Sequence, residues 1–219
     1  MDHGFWEDRW RRGEIGFHQP HIHAQLQKFW PALGLPKGST IFVPLSGKTR
    51  DMVWLAEQGH KVIGAELSER AVRDFFEESG LSPTITASGP FRIFKAGAFT
   101  IYQGDFFALA ADALGDVAAC YDRAALIALP SSMRPKYAEK LTNVLPLDAP
   151  ILAITIEYPE GEIQGPPFSV IGEEVRALYG DKFEIEILEE RDGLAESDNL
   201  KKRGVTKLEE IAYLLRRRA

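Results

Sequence analysis

Residues 41–52 read IFVPLSGKTRDM. An apolar strand, Thr40–Leu45, runs into a turn with a single glycine, Gly47, and a helix begins at once. The trio Gly47-Lys48-Thr49 matches the end of the phosphate-binding pattern G-x-x-x-x-G-K-[ST], whose first glycine lets the backbone wrap the phosphates. Phe42 stands where that glycine belongs, which argues against a triphosphate cradle. The dinucleotide fingerprint G-x-G-x-x-G fails as well, since only Gly47 is present. What remains is strand, one-glycine turn and helix. In an open α/β sheet, ligands sit at such a point, beyond the carboxyl end of the first strand.

Outward from this block, strands and helices alternate. Thr49–Gln58 reads as a helix ending at Gly59. Lys61–Leu67 is a second strand, and Ser68 is a good N-cap for a helix over Glu69–Ser79. Phe91–Phe94 and Phe99–Tyr102 form a hairpin about Ala96-Gly97. Asp116–Tyr121 is a short buried strand, Met133–Val144 a helix, and Ala149–Glu157 the most apolar strand. Gly172–Tyr179 is a helix, Phe183–Glu189 a strand, and Leu208–Leu215 a strand or helix. The alternation predicts a mostly parallel sheet with helices on both faces, closed at one edge by an antiparallel pair.

The 219 residues suit one α/β domain, and a hydrophobic fraction of 45% is enough for a substantial core. A net charge of −6 argues against general nucleic-acid binding, which needs a basic face. The only cysteine is Cys120, so no intramolecular disulfide forms and a reducing, cytoplasmic home is expected. No apolar run approaches the ~20 residues of a membrane span. The first residues are charged throughout, without a signal-peptide core. A monomer is expected.

Several residues carry candidate chemistry. Glu66 ends the second strand about twenty residues beyond Gly47, where an acid accepts both hydroxyls of a ribose; the alternative is a solvated carboxylate at a helix entry. A missing second glycine weakens the case for a pyrophosphate but not for a nucleoside without phosphates, such as S-adenosylmethionine. Asp105-Phe106 follows the hairpin strand, facing an adenine or capping the next helix. Tyr121-Asp122-Arg123 ends the fourth strand, and Arg123 offers a planar fork for an anion or a ring nitrogen, unless it forms an ordinary surface pair with Asp122. The N-terminal arm, residues 1–23, carries Trp6, Trp10, Phe17, His18, His21 and His23. Its histidines invite a metal, but no acid or His/Cys cluster downstream has matching spacing, and none is expected. The arm reads better as aromatics folded over a cleft. Gly165-Pro166-Pro167-Phe168 is a stiff loop that aims Phe168 into a pocket or merely connects.

Trp6…Trp10…Gly13…Phe17-His18-Gln19, VPLSGKTRDMVWLAEQGHKVIGAELSERAV at 43–72, Tyr-Asp-Arg at 121–123, GPPFSV at 165–170 and the closing Gly204…Leu208-Glu209…Tyr213-Leu214-Leu215 resemble, in this order, the thiopurine S-methyltransferase family in its bacterial form. The resemblance covers nearly the whole chain. It implies a Rossmann-like class I methyltransferase fold, a seven-stranded sheet in a single domain over residues 1–219, with residues 1–23 as a lid. S-adenosyl-L-methionine would be held by Trp10, Leu45, Gly47, Glu66, Asp105, Phe106 and Arg123. Phe17, Phe168 and Arg123 would meet the acceptor, with Asp122 orienting Arg123. A tail contact falls among Lys201, Lys202 and Arg203. The acceptor implied is a small aromatic or heterocyclic thiol. Alternatives are a selenium or tellurium species and, from the residues alone, a non-catalytic nucleoside-binding module.

Overall fold

The computed structural model describes residues 3–15 and 18–218. It divides into two compact units, Met1–Cys120 with Val144–Pro146, and Tyr121–Asn143 with Leu147–Ala219.

The first unit opens with helices α1 (His3–Arg12) and α2 (Ala24–Phe29), then β1 (Thr40–Pro44), α3 (Arg50–Glu57), β2 (Lys61–Glu66) and α4 (Glu69–Glu78). Strands β3 (Thr84–Ser88), β4 (Phe91–Ala96) and β5 (Phe99–Gln103) follow, and the first half of β6 (Val117–Arg123) completes it. The hydrogen-bonded order is β3-β4-β5-β2-β1-β6. Pairings β5/β2, β2/β1 and β1/β6 are parallel, whereas β3/β4 and β4/β5 are antiparallel. Parallel pairing leaves the carboxyl ends of β1, β2 and β5 on one edge, which carries the turns that follow them.

Local chemistry accounts for the boundaries. Thr49 accepts the Asp51 N–H and Ser68 the Ala71 N–H, so both helices start on side-chain caps. Gly59 ends the turn after α3 with φ +94°, where a side chain would be strained. Helix α4 buries Ala71, Val72, Phe75 and Phe76 along one face. Phe75 meets Phe99 edge-on at 5.1 Å, and Phe76 stacks on Phe94 at 6.3 Å, which fixes α4 against β4 and β5.

The second unit contains the rest of β6, then α5 (Arg134–Val144), β7 (Ile151–Glu157), α6 (Gly172–Tyr179), β8 (Phe183–Asp192), α7 (Asp198–Lys202) and β9 (Glu209–Arg217). Its order is β6-β7-β9-β8, with β9 antiparallel to both neighbours. The expected antiparallel pair is therefore present, and the ambiguous last element is a strand. Every residue of β7 has a partner in β9, and Ile211 to Leu215 are buried. The strands number nine among the described residues where seven were expected. The surplus is the antiparallel β3–β4 addition at the outer edge of the first unit. Among the described residues no helix is long and apolar enough to cross a membrane.

Candidate active site

In the first unit the turn after β1 is closed tightly. Leu45 has φ +45°, in the left-handed region that costs a residue with a side chain roughly 1–2 kcal/mol, and Gly47 follows at φ +54°. Glu66, buried at the end of β2, holds the turn. Its Oε2 accepts the Gly47 N–H at 2.7 Å, and its Oε1 accepts the Ser68 N–H at 2.8 Å. Burial raises the Glu66 pKa, while the N–H groups of Ser68, Gly47 and Leu67 pull it down. A carboxylate has about four lone-pair positions, so these backbone donors do not exhaust it.

Trp10, buried on α1, lies against the same turn. A Cβ built on Gly47 would stand 3.3 Å from its ring carbon Cζ2. The arm is fastened at its far end as well: the His23 N–H donates to Asp51 Oδ1 at 2.9 Å. Asp51 is buried in the first turn of α3, so one short segment carries both the one-glycine turn and the arm's anchor. Beyond β5, Asp105 accepts the Phe107 N–H at 2.9 Å and caps a turn of 3₁₀ helix. The Phe106 ring is buried and stacks on Phe42 of β1 at 6.3 Å, so it belongs to the unit's core.

In the second unit β6 ends in Asp122 and Arg123, and Ala124 turns away at φ +65°. Leu45 and Ala124 are the non-glycine residues at positive φ among the described residues. Both follow the carboxyl ends of strands, and strained backbone of this kind clusters at functional sites. Asp122 is buried, and its Oδ2 accepts the Tyr137 hydroxyl from α5 at 2.8 Å. Burial pushes its pKa up to about 6, against the pull of the Tyr137 hydroxyl and the Leu126 N–H. Successive strand side chains point to opposite faces, so Asp122 turns to α5 while Arg123, half-buried, faces the other way.

The loop Gly165–Phe168 is pinned from several sides. The Phe168 N–H donates to the Ile127 carbonyl at 2.7 Å, the Tyr158 hydroxyl to the Pro167 carbonyl at 2.8 Å, and Arg203 Nη1 to the Pro166 carbonyl at 2.8 Å. The Phe168 ring folds back over Gly165, where a Cβ would lie 2.4 Å from it. Of the three tail cations, Arg203 is the one bonded to this loop, while Lys201 donates to the Ala195 carbonyl.

Trp10, Leu45, Gly47 and Glu66 thus form one contiguous group in the first unit, with Asp105 and Phe106 beyond the neighbouring strand. Asp122, Arg123, Phe168 and Arg203 belong to the second. Phe17 lies outside the described residues. Asp51, Tyr137 and Tyr158 escaped sequence reasoning, because the hydrogen bonds that bring them to the site reach residues outside any local pattern.

The family described as thiopurine S-methyltransferase matches residues 1–218. A thiopurine S-methyltransferase of Bordetella petrii is 46% identical over 217 residues, covering 99% of each chain. One from Azotobacter vinelandii is 46% identical over 218 residues, covering 100% of each. Among solved structures, a Burkholderia thailandensis 1,6-didemethyltoxoflavin-N1-methyltransferase with S-adenosylhomocysteine superposes with a TM-score of 0.63 at 13% identity, over 98% of this chain and 87% of that one. At such low identity the likeness concerns the fold alone.

The buried Asp122 makes a testable contribution to stability. Its folded pKa of about 6 lies above the ordinary 3.8, so between these values the folded chain binds more protons than the unfolded one. Stability therefore falls as pH rises through this window, by up to about 3 kcal/mol above pH 6. Asp122→Asn keeps an oxygen for Tyr137. It is expected to raise stability at pH 7 by about 1–3 kcal/mol and to flatten the slope between about pH 4 and 6 in denaturant melts. A slope unchanged in the variant would assign the titration to another group.

Proposed function

The chain belongs to the thiopurine S-methyltransferase family, and from that premise we propose that it transfers the methyl group of S-adenosyl-L-methionine to the sulfur of a thiopurine-like aromatic or heterocyclic thiol. In this reading the chain, which matches the family over residues 1–218, is one catalytic domain and residues 1–23 are its lid. The observation that carries the cofactor reading is the turn at Leu45–Gly47, clamped by Glu66 and backed by Trp10. The residues fit such a group. The turn has one glycine and no phosphate cradle, and Glu66 keeps acceptor capacity for a ribose hydroxyl. Leu45 and Gly47 would meet the methionine half, Glu66 the ribose, Asp105 and the Phe106 backbone the adenine. Trp10 would exclude water above the turn.

When bound, S-adenosyl-L-methionine supplies a methyl group on a cationic sulfonium. The chain's own work is alignment and cover. An aromatic thiol is ionised enough near neutral pH to need no strong base. Arg123 would hold the anionic sulfur, or the ring nitrogen beside it, with its planar fork. Asp122 fixes the end of β6 through Tyr137 and so sets where Arg123 begins. Phe168 would meet the acceptor ring, and Arg203 would be the tail contact, supported by its bond to the Pro166 carbonyl. A cytoplasmic monomer accompanies this reading. The single cysteine suits a reducing compartment, and light scattering tests the monomer.

Titration calorimetry followed by a methyl-transfer assay over thiols, selenium and tellurium nucleophiles tests the whole. S-adenosyl-L-methionine is expected to bind and ATP is not. Glu66→Ala should weaken cofactor binding by roughly 1–3 kcal/mol; undiminished affinity would remove Glu66 from the ribose. A preference for metalloid species over every thiol would move the acceptor class.

The lid is checked by hydrogen exchange. Residues 3–15 should gain protection when S-adenosylhomocysteine is added, and equal exchange with and without it would refute a lid.

Arg123→Lys retains the charge but loses the fork. Turnover should fall about tenfold or more, each ~1.4 kcal/mol of lost transition-state stabilisation being tenfold. Arg123→Ala should be worse, most of all on thiols with a ring nitrogen beside the sulfur. Wild-type rates in Arg123→Ala would make the residue structural.

A further inference from the structure

Arg134 is a charge that the proposed chemistry leaves unused, and it is only 3% exposed. It stands at the start of α5. Its Nε donates to the Leu129 carbonyl at 2.9 Å, and its Nη1 pairs with Glu174 in the first turn of α6. The guanidinium carbon lies 5.9 Å from the centre of the Phe168 ring, within cation–π range. One planar group thus joins the segment after β6, the first turn of α6 and the aromatic tip of the loop Gly165–Phe168. The loop's backbone reaches the same segment, through the Phe168 N–H on the Ile127 carbonyl. Burying an arginine is costly unless every direction of its fork is answered. Here Nε meets an acceptor oxygen, Nη1 a carboxylate, and the guanidinium carbon lies over an aromatic ring.

We infer that Arg134 is a positioning residue that fixes the Phe168 ring and thereby selects which aromatic acceptors the loop admits. This rests on the reading of Phe168 as an acceptor contact. Phe168 alone is free to swing about its own side-chain bonds. The guanidinium limits where the ring can swing, and Gly165 does so too, since a Cβ there would collide with the ring. A lysine at 134 retains the charge for Glu174, but a single ammonium cannot also bond the Leu129 carbonyl and present a plane to the ring.

The test measures KM and kcat for a bicyclic heteroaromatic thiol and for the cofactor in Arg134→Lys, Phe168→Leu and the double variant, with melts recorded alongside. Phe168→Leu leaves the buried ion pair intact and keeps the test readable if Arg134→Lys folds poorly. Arg134→Lys should raise the thiol KM about fivefold or more while the cofactor KM stays within about twofold. In the Phe168→Leu background the same change should add less than about twofold, because the ring it acts through is gone. An equal effect in both backgrounds, or a lowered melting point with an unchanged thiol KM, overturns the inference. If Phe168→Leu alone leaves the thiol KM unchanged, the placement of Phe168 at the acceptor falls, and the inference with it. If Phe168→Leu raises KM and Arg134→Lys does not, the inference alone falls.

Discussion

The two hydrogen bonds accepted by Glu66 hold the candidate cofactor edge together. One carboxylate takes a donor from the turn after β1 and another from the start of α4. Without it, the Gly47 and Ser68 N–H groups would lose their partner in a buried place, and an unmet buried donor costs about 1–3 kcal/mol. Ser68 also caps α4, so the same point sets where that helix begins. The left-handed turn at Leu45 and the contact of Trp10 with Gly47 both depend on this closure. The carboxylate is desolvated for the purpose, which raises its pKa, and the backbone donors oppose that rise.

The second unit solves a related problem by other means. Its strained turn at Ala124 follows a strand whose end is fastened by Asp122 to the Tyr137 hydroxyl. Its loop is fastened through three carbonyls, those of Ile127, Pro166 and Pro167. Methyl transfer to an ionised thiol asks for alignment more than for acid–base power. Fastening of this kind, with few titrating groups in play, suits such a reaction.

The parts of the fold that were legible have local causes. Apolar β1, the single Gly47, the caps Thr49 and Ser68 and the stop at Gly59 all act within a few residues, and the boundaries fell within a residue of where they put them. Leu208–Leu215 stayed ambiguous because an apolar run of that length fits helix or strand, and pairing along β7 decides it. Strand β3 left no signal: all five of its residues are exposed, so no alternation marks a buried face. The bulge between Ile187 and Glu189 carries β8 on to Asp192, beyond the expected end at Glu189. At the site, Glu66 was legible from its spacing to Gly47. The stacking of Phe106 on Phe42 was not, since nothing in the sequence aligns those two rings. Nor could the partner of Asp122 be read, because Tyr137 lies on the next helix.

The bond from the His23 N–H to Asp51 has one more consequence. Trp10 belongs to a segment tied down close to the turn it covers, so its meeting with that turn is a first-order event. The cover never has to be recruited from solution. Its local concentration is set by the chain that carries it, whatever the concentration of the protein. The indole, buried beside Gly47, is thereby at hand each time the turn forms.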